Sequence, residues 1–309
     1  MSNPVKLGLV GYGKIAQDQH IPAIAANPDF ALVAVASRNA TMPGVRNYHD
    51  IDAMLAGEPS LDAVILCQPP QVRFAAARSA LLAGKSVFME KPPGATLSEV
   101  EALIALAAEQ QVTLMAAWHS RHAACVARAK SWIAARDLRS VQVIWKEDVR
   151  HWHPGQDWIW QPGGFGVFDP GINALSILTE ILSEPVRILG ARLETPSNRQ
   201  APIAASLKME TSAGVPVSAE FDWRQTGPQS WDIIVEAQDG TLALSHGGNS
   251  LSINGDAQPG GEEAEYPSLY ATFAALIAAG DSDADVAPLR LVADAFLCSE
   301  NILTEPFHD

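Results

Sequence analysis

The chain has 309 residues, 48% hydrophobic and 18% charged, an ordinary globular balance with length enough for two domains and a sizeable core. Against 21 Lys and Arg stand 35 Asp and Glu, a formal net charge of −14 with no basic cluster to offset it, which argues against nucleic acid and anionic membrane surfaces as partners. Cys67, Cys125 and Cys298 lie far apart, match no metal spacing and read as reduced thiols of a cytoplasmic protein, while no apolar run reaches membrane-spanning length and residues 1–6 lead into a strand rather than a cleavable signal.

From the start of the chain, nearly continuous apolar runs at 5–10, 31–36, 62–67, 86–90 and 112–117 alternate with helical stretches. Strands buried on both faces read this way. The spacing predicts a helix over 70–83, stopped by Gly84, and another over 100–108 behind the capping box Thr96-x-x-Glu99. This α/β alternation predicts an N-terminal Rossmann-type, doubly wound parallel sheet over 1–120.

The first strand runs into Gly11-Tyr-Gly13-Lys14-Ile15-Ala16. Gly11 allows a tight turn, Gly13 lets a pyrophosphate approach the backbone, and Ala16 permits close helix–strand packing. At the end of the second strand, where NAD sites usually carry an acid, stand Ser37 and Arg38. With no carboxylate to repel a 2′-phosphate and an arginine to bind it, the expected cofactor is NADP, with NAD accepted more weakly. A solvated loop arginine is the competing account. Lys14, Ile15, Gln68, Pro69, Glu90 and Lys91 complete the expected cofactor-contacting set. Lys91 follows the fourth run in Glu90-Lys91-Pro92, at the carboxyl edge of a parallel strand, where such folds bind ligands. His119 follows the last run and can reach the same crevice or serve as a satisfied core histidine.

After residue 121 the pattern changes. A helix is expected over 122–135, then alternating segments at 140–150, 186–194, 203–209, 215–223 and 231–236, interrupted by a helix over 170–182 with Ile172, Leu175, Leu178, Ile181 and Leu182 on one stripe. Residues 255–265 form a Gly/Glu-rich stretch, and 288–303 reads as helix. This predicts a C-terminal α+β domain over 121–309, with an open, mostly antiparallel sheet that binds substrate and offers a face for homo-oligomerisation.

Four of the eight tryptophans (Trp145, Trp152, Trp158, Trp160) fall between 145 and 160. Trp152 and His153 lie in a Pro/Gly-rich loop suited to ligand contact; the other three read as core. Glu147 interrupts the apolar face of Val141, Val143 and Trp145, so it either finds a buried partner or marks a surface strand end. Gly163-Gly-Phe-Gly166 precedes Phe168-Asp169-Pro170, with Asp169 expected as the helix N-cap, Pro170 in the first helical position, and Asn173 one turn on along the same face. On spacing alone Asp169 is equally a simple cap. No cluster has metal-ligand spacing, and no metal is expected.

The glycine turn, Glu90-Lys91-Pro92 and the Asp169 helix start resemble the glucose–fructose oxidoreductase and inositol dehydrogenase family. Gly13-Lys-Ile-Ala-Gln-Asp-Gln-His20, Trp118-His-Ser120, Trp145-Lys-Glu-Asp-Val149, Trp152-His-Pro-Gly-Gln156 and Val167-Phe-Asp-Pro-Gly-Ile-Asn-Ala-Leu175 are closer still to its aldose 1-dehydrogenases acting on L-arabinose and D-galactose. The resemblance implies oxidation of C1 of a free aldose to the lactone with NADP. Lys91, Asp169 and Asn173 would be catalytic, and His119, Glu147, Trp152, His153 and Trp231 would line the sugar, Trp231 by resemblance alone. It also implies that the closing helix packs back on the first domain. Where many members carry a histidine four residues after the aspartate, this chain has Asn173, which leaves Asp169 or Lys91 as base. Oxidation at another sugar or polyol carbon, redox-neutral glycoside cleavage and a dinucleotide-sensing regulatory subunit are the rival functions.

Overall fold

The structure is a computed structural model that describes residues 3–308. The chain forms two compact units. The first begins with strands β1 (Val5–Val10), β2 (Phe30–Ala36), β3 (Arg46–Tyr48), β4 (Ala63–Leu66), β5 (Ser86–Glu90) and β6 (Leu114–Ala117), and helices α1 (Ile21–Ala26), α2 (Ile51–Gly57), α3 (Pro70–Leu82) and α4 (Leu97–Gln110). All strand pairs are parallel, in the order β3-β2-β1-β4-β5-β6. Every residue of β4, β5 and β6 is buried, the reason these segments read as unbroken apolar runs. Strand β3 escaped the sequence reading because Arg-Asn-Tyr has no apolar run; its pairing with β2 makes it an edge strand. Helix α4 is capped by Thr96, whose Oγ1 accepts from Glu99 N at 3.3 Å, while Glu99 Oε2 accepts from Ala95 N at 3.1 Å.

The second unit continues with α5 (Val126–Ile133), β7 (Leu138–Lys146), α6 (Val149–Trp152), α7 (Phe168–Ile181), β8 (Val186–Pro196), β9 (Ala204–Thr211), β10 (Pro216–Asp222), β11 (Ser230–Ala237), β12 (Gly240–Ser245), β13 (Ser250–Ile253) and β14 (Asp256–Ala257). Helix α8 (Glu265–Ala279) then joins the first unit, and α9 (Ala287–Leu297) and β15 (Ser299–Thr304) close the second. Its nine strands form one open sheet, β14-β13-β12-β11-β7-β10-β9-β8-β15, antiparallel except at β7–β10 and β8–β15. The fold is α/β, with a Rossmann sheet followed by a mostly antiparallel one.

Three expected elements differ. The segment 140–150 is strand only to Lys146 and then turns into α6, where Asp148 caps the backbone N–H of Arg150. The expected helix 288–303 breaks at Leu297, and 299–304 extends beside β8. The segment that returns to the first unit is Tyr266–Val286, carrying α8, whereas the final helix lies in the second unit. Aromatic packing explains both placements. On α8, Tyr270 stacks on Phe88 at 5.3 Å and Phe273 on Phe30 at 6.1 Å. On α9, Phe296 meets Phe168 of α7 at 5.4 Å. Among the described residues no helix is long and apolar enough to cross a membrane.

Candidate active site

In the first unit the expected cofactor residues, and His119 of the expected sugar-lining set, stand at the carboxyl ends of the parallel strands. Gly11, Gly13, Lys14 and Ile15 follow β1; Ser37 and Arg38 follow β2; Gln68 and Pro69 follow β4; Lys91 follows β5 and His119 follows β6. Strand order reverses between β1 and β4, the point where doubly wound sheets bind dinucleotides. Gly11 is required by the protein itself: its φ is +91°, and a Cβ there would lie 2.8 Å from Gln68 N. Gly13 is different, since a Cβ there would meet nothing within 4 Å. Open space over an exposed glycine fits a bound pyrophosphate, so these residues suit a dinucleotide. Ala16 is fully buried against the sheet, Arg38 is exposed at the end of β2, and Lys14 pairs with Asp18 one turn on.

Below Lys91 lies a polar network inside the core. Glu90, 3% exposed, turns its carboxylate inward: Oε1 accepts from His20 Nε2 at 2.9 Å and from the Tyr266 hydroxyl at 2.7 Å, and Oε2 from Lys91 N at 2.9 Å. His20 Nδ1 is 2.8 Å from the Tyr270 hydroxyl. Burial opposes charge on His20, but Cys67 and then Glu90 raise its pKa to about 10. Burial likewise opposes charge on Glu90, yet His20, His119 and the Tyr266 hydroxyl lower it to about 2. The result is a buried imidazolium–carboxylate pair. His119 stacks on Tyr266 with centroids 5.5 Å apart.

In the second unit Asp169 lies in the first turn of α7 rather than at its N-cap, which is Val167. The chain turns two residues earlier than the sequence suggests, because Phe165 and Gly166 both take positive φ and Gly166 O accepts from Asp169 N at 2.8 Å. Asn173 still follows one turn later on the same face. Asp169, 3% exposed, stands 3.5 Å from His153 Nε2. His153 in turn packs on Trp223 with ring centroids 5.3 Å apart. Glu147, 6% exposed, is no surface strand end: it accepts from Trp231 Nε1 at 2.9 Å and Trp223 Nε1 at 3.3 Å. Trp152, which is exposed, packs edge-on against Trp231 at 5.6 Å.

Asp169, His153, Glu147, Trp231 and Trp152 therefore form one chain of contacts, joined through a residue the sequence reading did not single out, Trp223. The signal was present in the alternation Val217, Ala219, Phe221, Trp223, which puts the indole on the buried face of the β10 segment. Arg73 was missed as well: an arginine in an Ala-rich helix reads as solvated, yet it is 2% exposed.

A model of the oxidoreductase family with an NAD-binding Rossmann fold matches residues 5–118. Galactose 1-dehydrogenase from Pseudomonas fluorescens is 50% identical over 306 residues, 99% of each chain. A crystal structure of D-galactose-1-dehydrogenase from Rhizobium etli is similar with a TM-score of 0.96 and 59% identity, covering 100% of this chain and 99% of that one. The 3-ketoreductase KijD10 from Actinomadura kijaniata shares the fold, with a TM-score of 0.86 at 21% identity over 98% of this chain and 100% of its own. On the matched Rossmann segment and the full-length identity together, the chain belongs to the GFO/IDH/MocA oxidoreductase family.

Proposed function

We propose that the chain is a cytoplasmic aldose 1-dehydrogenase that oxidises C1 of free D-galactose or L-arabinose to the lactone and prefers NADP. The observation that carries this reading is the contact chain from Asp169 through His153, Trp223 and Glu147 to Trp231 and Trp152. Indole faces pack on the C–H faces of a sugar. A carboxylate oxygen accepts more than one hydrogen bond, so sugar hydroxyls can share Glu147 with the partners it already has. Trp145 adds a buried Nε1 with no hydrogen-bond partner among the described residues, a donor in need of an acceptor. Two full-length relatives that bear galactose in their names support the substrate class. The free cysteines suit a reducing compartment.

Gly11, Gly13, Lys14, Ile15, Gln68 and Pro69 would hold the dinucleotide, which would supply the acceptor for the hydride that leaves C1. Asp169 takes the proton of the C1 hydroxyl, Lys91 donates a hydrogen bond to that oxygen as its charge develops, and Asn173, which cannot take a proton, orients the ring. Arg38 beside Ser37 favours a 2′-phosphate over a bare ribose. D-Galactose and L-arabinose share their ring configuration and differ by one hydroxymethyl group, a difference a pocket discriminates weakly.

The test is net NADPH absorbance with each sugar and each cofactor. A lower KM for NADP than for NAD is expected, together with a kcat loss of about 10²–10⁴ in Asp169→Asn. Absence of cofactor reduction with both sugars would sink the reading.

A further inference from the structure

Around the end of β5, three side chains able to carry charge lie inside the first unit, where a doubly wound sheet needs only apolar ones. Arg73 on α3 is 2% exposed, Glu90 at the end of β5 is 3%, and His20 before α1 is 0%. A buried charged network is weak support for stability, because apolar residues of similar volume often serve as well or better. Another explanation is needed, and all three converge on one dipeptide.

Arg73 Nη1 donates to the carbonyl oxygens of Glu90 and Pro92, the two residues flanking Lys91. Its Nη2 donates to the carbonyl of Gln68, in the loop after β4. One guanidinium thus ties the loop that carries Lys91 to the loop beside Gly11. From the other side, Glu90 Oε2 holds the backbone N–H of Lys91 at 2.9 Å. Glu90 is itself fixed by His20 at 2.9 Å and by the Tyr266 hydroxyl at 2.7 Å. The lysine is gripped at its own N–H and at the carbonyl on either side.

We propose that Arg73, together with the Glu90–His20–Tyr266 group, positions Lys91: the buried frame fixes the backbone at 90–92 so that the ammonium is delivered to one place at the end of β5. This rests on the reading of Lys91 as the group that meets the sugar oxygen. A lysine at position 73 keeps the charge but has no planar fork to reach three carbonyls. Tyr266→Phe keeps the ring and removes only the hydroxyl bond to Glu90.

The experiment uses the full chain with Arg73→Lys, Tyr266→Phe and Lys91→Ala. Three quantities are measured: NADPH affinity and stoichiometry by fluorescence, kcat per cofactor-binding site with D-galactose, and the primary isotope effect with C1-deuterated galactose. In Arg73→Lys, kcat per site should fall about 10- to 100-fold while NADPH affinity and sugar KM stay within about threefold, since a misplacement of about 1 Å costs rate on this scale. The isotope effect should rise as the chemical step becomes limiting. Tyr266→Phe should show the same pattern, reduced to about two- to tenfold. If loss of rate only tracks loss of cofactor-binding sites with an unchanged isotope effect, the frame is merely structural and the proposal falls. It also falls if both variants keep wild-type kcat per site, and if Arg73→Lys does not fold, a wild-type Tyr266→Phe overturns it alone. Lys91→Ala separates the two levels. Wild-type rate there removes the role of Lys91 itself, whereas an inactive Lys91→Ala beside intact Arg73→Lys and Tyr266→Phe removes only the positioning.

Discussion

At the scale of single residues, the second unit shows how indole N–H groups accommodate a buried carboxylate. Glu147 sits after an apolar strand face and takes indole N–H groups from Trp223 and Trp231. Each bond is charge-assisted, and each indole donor is satisfied by the same group. In Glu147→Gln one indole keeps an acceptor while the other faces an amide NH₂, donor against donor. That variant should be destabilised by about 1–3 kcal/mol, the cost of a buried donor left unsatisfied. Urea unfolding followed by tryptophan fluorescence measures it, and an unchanged midpoint would show that the two indoles do not depend on the carboxylate. Gly11 and Gly13 make the complementary point. The first is glycine because the protein backbone crowds it, whereas at the second a Cβ would meet nothing within 4 Å, so no neighbouring protein atom requires glycine there.

At the scale of elements, local chemistry sets some boundaries and tertiary pairing sets others. Thr96 starts α4 through its own hydroxyl, as the Thr-x-x-Glu pattern requires. Replacing it by alanine should cost about 1 kcal/mol, read as a lower unfolding midpoint with the urea slope unchanged; no shift would mean the helix start is held by packing instead. The start of α7 obeys a different rule. Its first turn is fixed by the positive φ of Phe165 and Gly166, which moves Asp169 from the cap into the helix. Residues 299–304 become a strand only because β8 offers them an edge.

At the scale of the whole molecule, the buried pair His20–Glu90 couples folding to pH. His20 is raised from its ordinary 6.5 to about 10, so its contribution is fully present below 6.5 and fades as pH rises through about 10. Glu90 is lowered from 4.5 to about 2, so its contribution is present above 4.5 and fades as pH falls through about 2. The pair therefore supports the first unit most fully between pH 4.5 and 6.5. His20→Gln should lower Tm most within that window, and the gap to the wild type should narrow toward pH 10. Thermal scans across pH test this, and a gap that widens as pH rises from 6.5 to about 10 would reverse the assignment of charge. The network also depends on the path of the chain, since Tyr266 and Tyr270 come from α8, far along the sequence from Glu90.

By itself the sequence determined five of the six Rossmann strands, the glycine turn, the acid-free end of β2, Lys91 at a strand edge and the mostly antiparallel second sheet. Each is written in nearest neighbours, through apolar runs, glycines, prolines and caps whose physics is local. Tertiary structure alone decided that α8 returns to the first unit, that Arg73 is buried and grips three carbonyls, that Trp223 joins His153 to Glu147, and that 299–304 is strand. These depend on which surfaces meet after distant segments collapse, because periodicity can place a side chain on a buried face while its partner there is set by packing between segments.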